Sequence, residues 1–536
     1  MDWPVHGKDA MLPVVNEAHL APIQIPKAAR SLLSYPSFLW SQVLFPGQTR
    51  EPSTIQWRSF LILIIVSGAL LYPCLSFYLF EPDEGRYAEI PREMLARGEW
   101  LVPYLQGEPY LDKPPLMYWL VMASYRLFGA HDWSARLIPA LAIQGCILVV
   151  YLLGRRSLGE PAAFWGALAL SLAPGFVSIG RLLVLDGLLA FCVTLSILAA
   201  FEAMRGPRFR WSWWLASAMA CGLGILTKGP IAVILLVPPI WAYLLLTKSS
   251  GSIDWRRWTI FAMVILAVVA PWYVAMCLRI PSFARYFFWE QNVVRFLSPF
   301  DHQRPIWFYA PVVLGGLLPA SLLVLPFARF LLSSHESEAQ IRTPELGFML
   351  LAGGWCVLFF TASGCKLPTY VLPAFPFLAL SLGAYLVQSR WLRSRWSSAM
   401  IGLSFLLLTV GHYLIVPWYA RFHSPMSQAE EITRLCSDPQ TPVVCYPRNC
   451  DSVAFYLGRD DLRSFRSKET HLLVGFLQQR PRTIVLFSHR HSLKGLQQAL
   501  ESMSPELHYT EITPLSGSWT KGLQTEFCYL AVVERR

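Results

Sequence analysis

RSFLILIIVSGALLYPCLSFYLF (58–80) runs straight into EPDEGRYAEIPREMLARGEWLVPYLQGEPYLDKPP (81–115). The first stretch is long and apolar enough to cross the hydrocarbon layer, which takes about 20 such residues. The second is crowded with carboxylates, guanidiniums and aromatic rings, groups that are costly to bury in lipid. Its bland reading is a solvated loop beside a span. The sharper reading is a site for a charged ligand, because acids, bases and aromatics recur in several later connections.

Working outward, the whole chain follows the first stretch. Its 536 residues are 54% hydrophobic and only 15% charged, with a mean hydropathy of +0.41. A single soluble core stops growing at about 250–300 residues, so a soluble globule is excluded. Apolar runs recur at 58–80, 134–154, 160–178, 184–204, 211–226, 230–247, 258–278, 306–332, 346–363, 368–388 and 396–418. Counting 115–128 as a further short helix or half-span, the sequence predicts an all-α polytopic membrane domain of about 11–13 transmembrane helices. Pro and Gly interrupt several of them, which buried broken helices tolerate. The net charge of +11 invites a nucleic-acid reading. The basic residues lie mostly between spans, however, where topology explains them, so no nucleic-acid partner is expected.

Residues 1–57 are Pro-rich and basic with no apolar core, and read as a cytoplasmic tail. Arg155-Arg156, RGPRFR (205–210), Arg256-Arg257 and Arg390, Arg393 and Arg395 fall on alternate connections. The positive-inside rule makes these cytoplasmic. Loops 79–133, 179–186, 227–229, 279–305 and 364–367, with everything after 418, are then expected on the outer face. The transmembrane domain covers 58–418, with 79–133 and 279–305 as its chemically suggestive outer loops. From 419 to 536 the composition becomes that of a soluble domain. PVVCY (442–446), RTIVLFS (482–488) and CYLAVVE (528–534) read as strands, and 492–503 as a helix with Leu493, Leu496 and Leu500 on one face. A small α/β periplasmic domain is predicted. Among Cys436, Cys445, Cys450 and Cys528, export would permit one or two disulfides, whose pairing spacing does not assign.

Six constellations could carry chemistry. Asp83-Glu84 with Arg86 and Tyr87 offers a general base and a phosphate fork, a weak signal by spacing alone. In Asp112-Lys113-Pro114-Pro115 the prolines hold Lys113 extended, suited to a phosphate or to snorkelling. Asp186 stands near the start of an apolar span, where its bland reading is a structural ion pair, with Arg181 five residues earlier. Thr227-Lys228-Gly229-Pro230 reads better as a turn between spans and lacks P-loop spacing. Loop 285–305 collects Glu290, Asn292, Arg295, Asp301, His302 and Arg304; His302 is either a metal ligand with a first-loop carboxylate or a solvated histidine. Lys366 and Tyr370, four apart at the end of a span, share a face if helical, or are interface anchors.

DEGRYAEIPREML, GEPYLDKPPLMYWL, SARLIPAL, LLVLDG, LTKGP, NVVRFLSPFDHQRPIWFYAP and GCKLPTYVLPAFPFLAL, in this order over about 58–390, resemble the bacterial aminoarabinose transferases of lipid A. More broadly they resemble the protein O-mannosyltransferase-like branch of the GT-C glycosyltransferases. The resemblance implies a bacterial inner-membrane enzyme of GT-C fold that takes a sugar from undecaprenyl phosphate and inverts its anomeric carbon. The acceptor it implies is lipid A or another envelope glycan. It assigns catalysis to Asp83 and Asp186, and donor-phosphate or substrate binding to Arg86, Tyr87, Lys113, Arg304, Lys366 and Tyr370. Asp112 matches a metal-coordinating carboxylate that is typically Glu in the family, so Asp112 and His302 are the implied ligands of a divalent ion (Zn, Mg or Mn). The alternatives are transfer to protein Ser/Thr, a polyprenyl-sugar transporter, and a channel or scaffold with a sensory outer domain. A transporter would place its ionisable groups near the midplane, not at the ends of spans.

Overall fold

The computed structural model describes residues 55–247, 254–297, 302–339, 342–424, 426, 429–436, 438–448, 451–487, 490–515 and 529–535. The expected tail, up to residue 54, lies outside the described residues, as do Asp301, Cys450 and Cys528. Each of the eleven apolar runs is helical at least in part. The main helices are α1 (Trp57–Leu71), α2 (Asp83–Arg97), α3 (Leu116–Phe128), α4 (Asp132–Leu158), α5 (Glu160–Ser171), α6 (Leu185–Met204), α7 (Trp211–Lys228), α8 (Ile231–Leu246), α9 (Trp255–Arg279), α10 (Pro344–Ala362), α11 (Phe375–Gln388) and α12 (Arg395–Val410). Six helical stretches among the described residues are long and apolar enough to cross a membrane, and α1 and α8 are shorter apolar helices.

Two of the spans that Pro and Gly interrupt are bent. Glu160–Ser171 and Pro174–Arg181 meet at 66°, and Ile306–Gly316 and Ala320–Leu332 at 110°. Pro174 and Pro319 stand at these breaks, where a missing N–H and a clashing ring interrupt the helical ladder. The run 58–80 differs from expectation: α1 stops at Leu71. The next residues are tied down by two buried guanidiniums. Arg181 donates to the carbonyls of Leu70, Leu71, Pro73 and Cys74, and Arg136 to those of Leu75 and Phe77. The carbonyls orphaned at a helix end thus find charged donors instead of water.

α6 lies at the centre and is buried along almost its whole length. Near its far end the buried carboxylate of Glu202 collects Arg156, Arg205 and Arg210 at 2.8, 3.0 and 3.1 Å. α9 and α12 instead expose Met263, Leu266, Val274 and Leu278, and Leu403, Leu406 and Leu407, a surface suited to lipid.

Beyond α12 the chain continues helically to His423 and then forms an α/β unit. A two-residue hairpin in the first loop supplies β1 (Tyr104–Leu105) and β2 (Glu108–Pro109); the five-stranded sheet comprises β3 (Val443–Tyr446), β4 (Arg463–Ser464), β5 (Arg482–Phe487), β6 (Leu507–Pro514) and β7 (Tyr529–Arg535). Its order is β4-β3-β5-β7-β6, parallel on the β3 side and antiparallel around β7. Cys436 and Cys445 are buried free thiols.

This unit sits directly on the first loop. Helix α13 (Asp451–Leu457) packs on α2, with the Phe455 ring 6.1 Å from Tyr125. Gly85 permits the approach: a Cβ there would lie 2.6 Å from the Ser452 backbone nitrogen. That nitrogen donates to Glu81 at 2.6 Å. Burial, and then the Asp451 carboxylate beside it, push the Glu81 carboxyl up to about 8. A raised value means that the docked state holds a proton that the released state gives up. The contribution is therefore complete below the ordinary carboxylate range and is lost as pH rises through about 8. Melting curves in detergent between pH 5 and 9 should show wild-type stability declining relative to Glu81→Gln; parallel curves would refute this linkage.

Candidate functional site

Five connections meet at the end of the bundle that carries the α/β unit. They enclose a cavity of about 380 Å³ whose polar lining includes Lys113, Asp186, Lys228, Gln291, Asn292 and Arg295. Ile231, Ile234, Phe288, Phe296, Phe359 and Phe360 give it a large apolar lining, and Tyr370 lines it as well.

The ion pair at its floor follows from helix polarity. Asp186 is in the first turn of α6 and Lys228 is the last residue of α7. Carboxylates are favoured at helix N-termini and cations at C-termini, and these helices run past one another, so the two ends coincide. Lys228 Nζ donates to Asp186 Oδ1 at 2.6 Å and lies 4.4 Å from the centre of the Tyr370 ring. Gly229, at φ +83°, ends α7 in a conformation that L side chains rarely adopt. The partner of Asp186 is thus Lys228; Arg181 is occupied by the α1 carbonyls.

Lys113 enters from the other side, held by its neighbours. The Tyr286 hydroxyl donates to Asp112 at 2.5 Å, and the Gln291 amide donates to Asp112 at 3.2 Å and to the Tyr286 oxygen at 2.7 Å. Tyr286, Gln291 and Asn292 lie on a π-helical turn, Arg285–Val294, anchored by buried Phe287. The wider turn and its buried anchor position the polar side of this segment at the cavity. Burial, with the Lys228 and Arg295 charges nearby, pushes the Lys113 ammonium down to about 8, against the opposite pull of Asp112 and Asp186. Three cations around one cavity repel one another, an arrangement that an anion relieves.

The structure separates the predicted site residues. Lys113, Asp186 and Tyr370 line the cavity. Tyr87 is buried, and its hydroxyl feels the charges of both Asp83 and Asp186. Asp83 is more than half exposed and lies 3.9 Å from Arg86, outside the cavity lining. Glu84, its neighbour in sequence, is buried and structural: it meets Arg136 through two 2.8 Å bonds and accepts from the Leu183 backbone at 2.7 Å. Arg86 is drawn toward Asp451 of the α/β unit at 3.7 Å.

Lys366, Arg304, Asp112 and His302 are not among the residues that line the cavity. The Lys366 ammonium donates to the Ser363 carbonyl at 2.5 Å, and Lys366 precedes the 3-10 turn Pro368–Ala374 that carries Tyr370, so the two do not share a helical face. Arg304 is exposed and lies over the Phe308 ring, while Arg295 of the same loop lines the cavity. The implied metal ligands do not fit an ion. Asp112 Oδ1 is taken by Tyr286 and Gln291, His302 is exposed, and no three His, Cys, Asp or Glu converge among the described residues. Lys228, read as part of a turn, and Arg295, grouped with its loop without a role, are the cavity cations that the sequence reading did not assign. For Lys228 the available signal was an acid opening one span and a base closing the next at the same end.

A family model described as dolichyl-phosphate-mannose-protein mannosyltransferase matches residues 112–275. An undecaprenyl phosphate-alpha-4-amino-4-deoxy-L-arabinose arabinosyl transferase of Edwardsiella ictaluri is 32% identical over 71% of this chain and 68% of its own length. One from Pseudomonas fluorescens is 34% identical over 66% of this chain, but the match spans only 61% of that relative. Among solved structures, ArnT from Cupriavidus metallidurans bound to undecaprenyl phosphate superposes with a TM-score of 0.69 at 22% identity, over 89% of this chain and 97% of that one. The archaeal oligosaccharyltransferase AglB from Archaeoglobus fulgidus gives 0.52 at 14% identity, over 80% and 69%. These two likenesses concern the fold.

Proposed function

Because the chain belongs to the undecaprenyl phosphate-aminoarabinose arabinosyl transferase family, we propose that it transfers a sugar from a polyprenyl-phosphate donor to lipid A or another envelope glycan. In this reading the cavity and the α/β unit face the periplasm from the inner membrane. The observation that carries it is the cavity itself: a cluster of cations, Lys113, Lys228 and Arg295, set against an apolar wall. That combination suits a phosphate attached to a long hydrocarbon chain.

The acceptor oxygen attacks the anomeric carbon as the bond from that carbon to the donor phosphate oxygen breaks, inverting the centre. The electron pair leaves on the phosphate, whose growing charge is met by Lys113, Lys228 and Arg295. Asp186 holds Lys228 in place through their 2.6 Å bond. Asp83, exposed and across Tyr87 from the cavity floor, is assigned to the acceptor side, where it orients the nucleophile or takes its proton. Arg86, 3.9 Å from Asp83, and the buried Tyr87 are assigned to substrate binding beside it. No step runs through a metal.

Intact mass spectrometry of envelope lipids tests this in cells with no enzyme, native enzyme or Asp83→Asn at matched expression. A sugar-sized mass on lipid A that requires both enzyme and Asp83 supports the reading and identifies the sugar. An unchanged lipid A with an altered glycoprotein would replace the acceptor, and no enzyme-dependent sugar anywhere would overturn transfer. The Lys113 ammonium adds a pH signature. Undecaprenyl phosphate should bind more weakly as pH passes about 8 and the ammonium discharges, and Lys113→Arg, always charged, should flatten that decline in a titration.

A further inference from the structure

The α/β unit contributes a carboxylate to the first loop at a place where packing alone does not require one. Asp451, at the start of α13, is 1% exposed. Its Oδ1 accepts from Gln106 of the β1–β2 turn at 2.7 Å, and its Oδ2 faces Arg86 Nε at 3.7 Å. Both partners belong to the first loop. Burying a carboxylate across a contact is costly, and such groups are justified by the geometry they impose. Here the imposed geometry continues inward. Arg86 lies 5.7 Å from the centre of the Tyr110 ring, and the Tyr110 hydroxyl is close enough to feel the charges of both Arg86 and Asp112. Asp112 is fixed by Tyr286 and Gln291, and the next residue is Lys113 at the cavity. A run of neighbouring charged and polar groups therefore leads from the α/β unit to the cation assigned to the donor phosphate.

We propose that Asp451 is a positioning residue: it aims Arg86, and through Tyr110 and Asp112 it holds Lys113 at the donor phosphate, so that the α/β unit completes the donor site. This rests on the donor reading above. Networks of this kind are coupled, and their members do not contribute additively.

The test uses the purified full-length protein in detergent with undecaprenyl phosphate as the probe. It reads both Kd and the number of binding sites. Asp451→Asn and Arg86→Ala should each raise Kd about five- to tenfold, a coupling of the size seen within connected polar networks. The double variant should be no weaker than the weaker single. Tyr110→Phe, which deletes one hydroxyl and leaves the domain contact intact, should raise Kd similarly even if Asp451→Asn folds poorly. A purely structural role would lower the number of sites and leave Kd unchanged. Wild-type Kd in Asp451→Asn or Tyr110→Phe, or additive effects in the double variant, would overturn the positioning role while leaving the donor site in place. No binding by the wild-type protein would instead overturn the donor reading, and this inference with it.

Discussion

Lys113→Ala should lower turnover of an undecaprenyl-phosphate-linked sugar by about 10²–10³-fold, the cost of removing one preorganised group from a developing negative charge, or about 2.7–4 kcal/mol. Lys113 is the cation whose position depends on the most neighbours. Asp112 precedes it and is clamped by Tyr286 and Gln291, so little reorganisation is needed when the phosphate charge grows. Lys228 already shares its charge with Asp186 at 2.6 Å and cannot fully substitute. The substitution leaves the helices untouched, so the protein should remain monodisperse with a wild-type melting temperature. Lys113→Arg should recover part of the rate, since the charge returns on a fork of different shape. Single-turnover measurements with saturating donor separate the chemical step from binding. A Lys113→Ala enzyme within threefold of wild type would remove Lys113 from the mechanism.

Arg136→Ala, in the first turns of α4 against the first loop, should be strongly destabilising. Arg136 is wholly buried and Glu84 is 2% exposed; their two 2.8 Å bonds are reinforced by the carbonyls of Leu75 and Phe77. Removing one partner strands a buried carboxylate, an effect of about 3–5 kcal/mol. The carbonyls of the segment after α1 lose their donors as well. The expected result is little monodisperse protein after extraction, or a markedly lower melting temperature. Replacing both partners together, Glu84→Gln with Arg136→Met, should cost less, because no charge is left unpaired. Equal stability of Arg136→Ala and wild type would refute the structural role assigned to this pair.

Asp83 and Glu84 show how far sequence reasoning reaches. They are adjacent acids in one motif, and nothing in their spacing says which is structural. A helix turns about 100° per residue, so one carboxylate points to solvent and the other into the core against Arg136. The same limit applied to Lys228, whose partner Asp186 lies 42 residues away along the chain. Nor does the sequence show that Lys366 meets the Ser363 carbonyl and Arg304 the Phe308 ring.

Sequence alone determined the membrane character, the many-helix apolar domain, the α/β unit after it and the family. These are properties of local composition and periodicity, summed over stretches long enough that single contacts do not matter. Only the tertiary structure decided which charges meet: Asp186 with Lys228, Glu84 with Arg136, and Asp451 with Arg86, separated by 42, 52 and 365 residues. The physical reason is that a charge buried in a low-dielectric interior must find its counter-charge in space, and helix packing, not sequence proximity, places it there.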